Sequence, residues 1–162
     1  MDFTFAIAGF NDGALTAASV FVDKYWPLCL ILMFVAAMFL TKRRLALVLA
    51  LLLALAILPL ARGYYGVPRP CLTEKTNCIF EPGFPSAHAT TAFVFVAASV
   101  GTPLFLFFLP IGLFAAFSRV YLGVHSLEQI AGGIALGIIL FVVSEVILKK
   151  ALPLLRKDTG LV

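Results

Sequence analysis

Three short polar clusters interrupt an otherwise apolar chain, and they hold the residues best suited to chemistry. These residues are Arg62, Arg69, Ser86, His88, Arg119 and His125, followed by Glu128 and Gln129. Arginine offers forked N–H donors that match the oxygens of a phosphate group. Two histidines can divide covalent catalysis between a nucleophile and a proton donor. Together, these residue types predict a site that binds and transfers phosphate through protein groups alone.

The second cluster, Pro85-Ser86-Ala87-His88, has the pattern of a helix start. The backbone N–H groups of Ala87 and His88, with the Ser86 hydroxyl, would bind an anion at the positive end of that helix. We therefore expect a bound phosphate to meet uncharged donors here in addition to the arginines.

The third cluster places a carboxylate and an amide near His125. Glu128 and Gln129 follow His125 by three and four residues, so on a helix both share its face. Such a partner fixes the histidine tautomer, and a carboxylate also stabilises the charged ring. No set of His, Cys, Asp and Glu residues has the spacing of a metal site, so we expect neither a metal nor another cofactor.

The composition requires most of the chain to lie in a membrane. Of its 162 residues, 62% are apolar and only 12% are charged, and the mean hydropathy is +1.09. A domain of this size buries only about two-thirds of its chain surface, so the excess apolar surface must face lipid. This excludes a soluble enzyme, a nucleic-acid-binding domain and a disordered tail. The formal charge of +4 comes from basic residues at the ends of apolar runs, as in membrane proteins.

The apolar runs predict an all-α bundle with about five transmembrane helices. The expected spans are Tyr25–Leu40, Leu45–Ala61, Pro85–Val100, Pro103–Phe117 and Leu127–Leu148. The third and fourth are short, so their ends should lie in a recess lined by water or protein. Gly133 and Gly137 form a small-xxx-small pattern, which we interpret as close packing within the bundle; dimerisation is the alternative.

The first 24 residues are apolar but interrupted by polar residues and glycine. We interpret them as two short helices in the outer interface, the second running from Gly13 to Val22 with Asp12 as its N-cap. A sixth span is the alternative. The chain has no repeats or low-complexity tracts, so residues 1–162 are expected to form one membrane-embedded domain.

Basic residues orient the bundle. Lys42, Arg43 and Arg44 lie between the first two spans, and further Lys and Arg residues follow the last span, which places both regions and the C-terminus in the cytoplasm. The three polar clusters then lie together on the extracytoplasmic face. Cys71 and Cys78 share that outer loop, where disulfides persist, so we predict a bridge between them; two free thiols are the alternative.

The ordered clusters resemble the signature of the type 2 phosphatidic acid phosphatases, a membrane family related to the vanadium haloperoxidases. The family pattern is a basic residue, six residues and Arg-Pro; then Pro-Ser-x-His; then Ser-Arg, five residues, His, three residues and Asp. This chain has Arg62, six residues and Arg69-Pro70; Pro85-Ser86-Ala87-His88; and Ser118-Arg119, five residues and His125. It departs from the pattern in having Arg62 where Lys is usual and Gln129 where Asp is usual.

The resemblance implies an enzyme with defined residue roles. His125 would attack the phosphorus and form a phosphohistidine, while His88 would protonate the leaving group and then activate water. The phosphate would be held by Arg62, Arg69, Ser86, Ala87 and Arg119. Glu128 would orient His125, with Gln129 as the alternative.

Small members of this family often act on polyprenyl diphosphates, so the resemblance implies a polyprenyl diphosphate or monophosphate as substrate. The alternative substrates are phosphatidic acid and phosphatidylglycerophosphate. With Gln129 in place of Asp, a catalytically silent lipid-phosphate binding protein and a lipid phosphotransferase are further alternatives. The expected partner is a phosphorylated lipid in the membrane and no nucleic acid, and the oligomeric state is left open.

Overall fold

A computed structural model of the chain describes residues 3–158, with side chains described up to residue 151. In this part of the chain the extended elements are limited to one isolated bridge between Pro68 and Pro82. The helices are α1 (Phe3–Gly9), α2 (Gly13–Leu40), α3 (Arg44–Tyr65), α4 (Ala87–Ser99), α5 (Phe105–Tyr121) and α6 (Leu127–Asp158). The prediction of an all-α membrane bundle is confirmed.

Three of these helices are long and apolar enough to cross a membrane, namely α2, α3 and the Leu127–Ala151 part of α6. The two others of the five expected spans, α4 and α5, have 13 and 17 residues. At 1.5 Å per residue, α4 is about 20 Å long and shorter than the hydrocarbon core of a bilayer. A short helix can stay at this depth only because its ends are covered by protein.

Helix α4 is the central helix of the bundle. Nine of its 13 residues are buried, and it packs against α6, α5, α3 and α2. The long outer helices are different: α2 buries four of its 28 residues and exposes large apolar side chains such as Phe39 and Leu32. The protein core therefore surrounds α4, and the outer faces of α2, α3 and α6 are left for lipid.

Close approach of α6 to α4 depends on two glycines. A Cβ atom added to Gly133 would lie 2.6 Å from the carbonyl oxygen of Ser86, and one added to Gly137 would clash with the carbonyl of Thr90. The interpretation of these two glycines as a packing surface within the bundle agrees with these contacts. Their position sets α6 against the first turn of α4.

The N-terminal region corrects one expectation. Asp12 caps α2 as predicted, because its Oδ1 accepts from the Leu15 N–H at 2.8 Å. This helix does not end before residue 25; it bends at Tyr25 and continues to Leu40. Pro27 lacks an N–H group and its ring crowds the carbonyl four residues earlier, which bends a helix without ending it when apolar residues continue on both sides. The second short helix and the first span are thus one kinked helix.

The loop between α3 and α4 is closed by the predicted Cys71–Cys78 disulfide, whose Cα atoms are 5.6 Å apart. The loop lies against the turn that joins α5 to α6. The Leu72 N–H donates to the Gly123 carbonyl at 2.9 Å, and the Thr73 hydroxyl donates to the Leu122 carbonyl at 2.7 Å. The disulfide loop therefore supports the turn that leads to His125.

The two ends of the bundle differ in character. At one end, Arg43 forms an ion pair with Glu145 of α6 at 3.3 Å, and Thr41 donates to the Ala98 carbonyl near the end of α4. The first turn of α4, with the disulfide loop, lies at the opposite end. The basic residues between α2 and α3 are therefore separated from the polar clusters by the length of α4.

Candidate active site

The first polar cluster, which contains Arg62 and Arg69, is held in place by the end of α3 and by a short backbone pairing that follows it. Arg62 lies in the last turn of α3, and its Nε donates to the Pro85 carbonyl at 3.3 Å. Beyond the helix, the Gly83 N–H donates to the Val67 carbonyl at 2.7 Å, and the Arg69 N–H donates to the Glu81 carbonyl at 3.3 Å. These bonds bring the two arginines to the start of α4.

Gly83 is needed where these segments meet. A Cβ atom at this position would lie 2.8 Å from Cγ of Arg69 and 2.8 Å from Oε1 of Gln129. The backbone of residue 83 thus separates Arg69 from the start of α6, and any side chain there would push them apart.

The second cluster begins α4 as the sequence predicts. Ser86 is the N-cap, yet its hydroxyl makes no capping hydrogen bond and is completely buried. Its backbone N–H donates to the Gln129 carbonyl at 3.1 Å, which ties the start of α4 to the start of α6. His88 lies in the first turn of α4, two residues after Ser86. Its ring stacks on the indole of Trp26, with ring centres 5.2 Å apart.

The third cluster lies at the end of α5 and in the turn that follows. Arg119 is buried, and its carbonyl accepts from the backbone N–H groups of Val124 and His125 at 3.1 and 3.2 Å. Gly123 has φ of 71°, a conformation that favours glycine. This turn directs the imidazole of His125 into the protein, where it is 1% exposed.

Gln129 contacts His125. Oε1 of Gln129 lies 2.8 Å from Nδ1 of His125, whereas the side chain of Glu128 is exposed. The structure therefore favours the alternative, Gln129, as the residue that orients His125. The reason is the position of each residue in the first turn of α6, in which the third helical residue faces the bundle and the second faces outward.

Gln129 is also part of a capping box at the start of α6. Its backbone N–H donates to the Ser126 hydroxyl, and its Oε1 accepts from the Ser126 N–H, each at 3.4 Å. Its Nε2 donates to the Pro68 carbonyl at 2.9 Å. Since that carbonyl can only accept, the amide orientation is fixed, and Nδ1 of His125 must be the donor to Oε1.

This hydrogen bond leaves the lone pair of His125 on Nε2. Burial, together with the weaker effect of the positive charges of Arg119, Arg69 and Arg62, lowers the pKa of His125 to about 3, although the Gln129 hydrogen bond acts in the opposite direction. His125 is therefore neutral at physiological pH. A neutral imidazole with a free Nε2 is the form that can act as a nucleophile.

A carboxylate that the sequence analysis did not identify also belongs to the site. Asp23 of α2 forms an ion pair with Nη1 of Arg119, and its Oδ1 lies 3.8 Å from Nε2 of His88. Its Oδ2 accepts from the Thr76 hydroxyl at 3.2 Å. The sequence signal was an acidic residue beside an apolar helix, where charge is costly and usually has a function.

Four polar side-chain atoms in the clusters are buried and have no hydrogen-bond partner among the described residues. They are Nε of Arg69, Oγ of Ser86, Nε2 of His88 and Nε of Arg119. Buried polar atoms are rarely left unpaired, since each costs about 1–3 kcal/mol. Arg69, Arg119 and His88 also interact electrostatically with His125, so these atoms together could hold an anion that offers several oxygens.

The sequence and the fold both match known proteins. The sequence model of the PAP2 superfamily matches residues 26–152, which include every residue of the three clusters. No curated protein sequence matches the chain at a significant level.

Two solved structures have a similar fold. The crystal structure of Aquifex aeolicus LpxE matches with a TM-score of 0.71 at 21% identity, over 88% of this chain and 92% of that chain. The crystal structure of the first transmembrane PAP2 type phosphatidylglycerolphosphate phosphatase, from Bacillus subtilis, matches with a TM-score of 0.68 at 18% identity, over 91% of this chain and 83% of that chain. Both likenesses concern the fold.

Proposed function

Because this chain belongs to the PAP2 superfamily, we propose that it removes the terminal phosphate of a membrane lipid. A phosphoric-ester hydrolase is the enzyme class that this membership indicates. The observation that carries the proposal is the set of buried polar atoms of Arg69, Ser86, His88 and Arg119 that have no hydrogen-bond partner among the described residues. Arg69, Arg119 and His88 are also close enough to His125 for their charges to interact with it.

In the proposed reaction, Nε2 of His125 attacks the phosphorus as the bond to the lipid oxygen breaks. His88 gives a proton to that oxygen, so that the lipid leaves as a neutral alcohol, or as a monophosphate when a diphosphate is cut. The N–P bond of the phosphohistidine is then broken by water, whose proton passes to His88. The arginines and Ser86 hold the remaining phosphate oxygens and stabilise the charge that develops on them.

An apolar groove next to the site supports a lipid as the substrate. A cavity of about 420 Å³ is lined by Arg62 and Glu81 at its polar end. It shares Leu55, Leu58 and Ala87 with a second, apolar cavity of about 520 Å³ that extends to Val48. Fourteen residues of α3 separate Arg62 from Val48, which is about 21 Å of helix. A hydrocarbon chain lying there would place its phosphate near Arg62.

Within this class, a polyprenyl diphosphate or monophosphate is our first candidate substrate, since short connections leave little beyond the core to recognise a large headgroup. The second candidate is a glycerolipid phosphate such as phosphatidylglycerophosphate. It is favoured by the similarity of the fold to a Bacillus subtilis protein named as a phosphatidylglycerolphosphate phosphatase.

We also place the site on the extracytoplasmic side and the C-terminus in the cytoplasm. The ion pair of Arg43 with Glu145 supports this orientation, because it joins the basic turn to the C-terminal half of α6 at the end opposite the site. The packing of α1 and α2 against α5 supports a single domain over residues 1–162.

Phosphate release by the purified protein in detergent tests the proposal. We would compare a polyprenyl diphosphate, a polyprenyl monophosphate, phosphatidic acid and phosphatidylglycerophosphate, with EDTA present, and with His125→Ala as the control. Release that disappears in His125→Ala by a factor of about a thousand or more supports the hydrolase and ranks the substrates.

Two other outcomes would contradict the hydrolase. No release from any lipid by folded protein would favour a silent lipid-phosphate binding protein, whose affinity can be measured with the same lipids. Release that occurs only when an alcohol or sugar acceptor is added would favour a phosphotransferase. A phosphoryl group trapped on His125 in acid-quenched samples would support the covalent route, and its absence during turnover would count against that route.

A further inference from the structure

The carboxylate of Asp23 lies beside two groups of the candidate site to which we assign different functions. Its Oδ1 pairs with Nη1 of Arg119, which we assign to phosphate binding, and also lies 3.8 Å from Nε2 of His88, which we assign to proton transfer. Asp23 is about three-quarters buried and reaches the site from α2, two residues before the bend at Tyr25.

We propose that Asp23 is a positioning residue that exchanges Arg119 for His88 when a phosphate binds. This inference rests on the proposed function. Without substrate, the carboxylate occupies the Arg119 guanidinium. A phosphate that takes Arg119 frees the carboxylate to pair with the His88 ring, and this pairing stabilises the protonated ring that donates to the leaving oxygen.

The surroundings of the two groups make this exchange electrostatically reasonable. The charged or titratable groups that act on His88 are Asp23 from α2, Arg62 from α3, Arg69 from the loop, Arg119 from α5 and His125 from the following turn. All of these groups except Asp23 are basic. Asp23 therefore supplies the negative charge that favours the protonated form of His88. Next to Asp23 itself are Arg119, His88, the Thr76 hydroxyl and the neighbouring Lys24.

The Thr76 hydrogen bond keeps the carboxylate at the site during the exchange. Thr76 belongs to the loop closed by the Cys71–Cys78 disulfide and donates to Oδ2 of Asp23 at 3.2 Å. The other oxygen, Oδ1, is therefore the one that faces both Arg119 and His88. A small rotation of the carboxylate suffices to change its partner.

The protein contains its own reporter for this proton. Trp26 is the single tryptophan of the chain, its ring stacks on His88 at 5.2 Å, and a protonated imidazole in contact with an indole quenches its fluorescence. Titration of tryptophan fluorescence with pH in detergent therefore follows His88 without any turnover. The variant His88→Gln should remove the transition and so assign it.

We would titrate the unchanged protein and the variant Asp23→Asn with saturating inorganic phosphate present, and use Asp12→Asn, at the N-cap of the same helix, as the matched control. Asn caps a helix as well as Asp does, so the control removes one charge from α2 without touching the site. The midpoint of Asp23→Asn should lie about one pH unit or more below that of the unchanged protein, and Asp12→Asn should not move it.

The second readout is the affinity for inorganic phosphate, measured by isothermal titration calorimetry at a pH above both midpoints. Asp23→Asn should bind phosphate about fivefold or more tightly, because a competing negative charge has left Arg119. A merely structural role predicts the opposite, since a loosened Arg119 would bind phosphate more weakly. If Asp23→Asn does not fold, the titration midpoint and the phosphate affinity are measured on Asp23→Ser instead.

An unchanged midpoint, weaker phosphate binding, or a fluorescence transition that His88→Gln leaves intact would each overturn the proposal. Neither readout depends on hydrolysis. A positive result with no phosphate release from any lipid would therefore refute the hydrolase and leave the role of Asp23 in place.

Discussion

Replacing Gln129 by Glu tests how the amide controls His125. The two side chains have the same shape, so His125 keeps its acceptor at 2.8 Å. The change removes the Nε2 donor from the Pro68 carbonyl, now at 2.9 Å, and adds a negative charge beside the imidazole. Its consequences for the proton of His125 and for the stability of the protein can be separated.

The charge should raise the pKa of His125. This pKa is about 3 in the unchanged protein, and a carboxylate at hydrogen-bond distance raises it by about one to three pH units, into the range of roughly 4 to 6. A protonated ring has no lone pair on Nε2, so attack on phosphorus slows as the pH falls through this pKa. As the pH is lowered, kcat/KM should therefore fall between about pH 6 and 4 in Gln129→Glu, whereas in the unchanged protein it should fall only below about pH 4.

The lost donor should also destabilise the protein. An acceptor that loses its partner and faces a carboxylate costs about 1–3 kcal/mol, which should lower the thermal midpoint of the variant in detergent by several degrees. Because this loss is independent of the proton on His125, the midpoint should be lower at pH 8 as well as at pH 5.

The assay is phosphate release from one lipid across this pH range, expressed as the ratio of variant to unchanged protein so that titration of the substrate cancels. Glu128→Gln is the matched variant, since it changes a charge one residue earlier on the exposed side of α6, and its ratio should not vary with pH. If the pH at which kcat/KM falls changes in Glu128→Gln and not in Gln129→Glu, the assignment of Gln129 as the residue that orients His125 is refuted.

Three further expectations concern the supports of the site. Cys71→Ser opens the loop to Cys78 and should lower the free energy of unfolding by about 2–3 kcal/mol. Thermal unfolding measures this, with a reductant that opens the bridge of the unchanged protein as the control. Equal stability of the variant and the oxidised, unchanged protein would contradict the expectation. Gly133→Ala places a Cβ 2.6 Å from the Ser86 carbonyl and should cost about 1–3 kcal/mol and reduce phosphate release, whereas a variant as stable as the original would show that α6 can shift freely. Arg119→Lys loses the forked donors and should reduce kcat/KM by about a hundredfold or more; a loss below about threefold would remove Arg119 from the phosphate site.

The sequence by itself determined the environment and most of the chemistry. The excess of apolar residues required a membrane, and the short third and fourth spans predicted the 13- and 17-residue helices α4 and α5. The Asp12 cap and the Cys71–Cys78 bridge followed from local patterns and from the outer position of the loop. These features depend on composition or on neighbours in the chain, which a sequence displays directly.

Tertiary structure decided which acidic or amide side chain serves each histidine. Glu128 and Gln129 are adjacent, and only the packing of the first turn of α6 against Pro68 turns Gln129 inward. Asp23 meets Arg119 across a separation of 96 residues, because the bent helix α2 packs against α5. A carboxylate acts over a few ångströms, and distances of that kind are set by how helices pack and not by the order of residues along the chain.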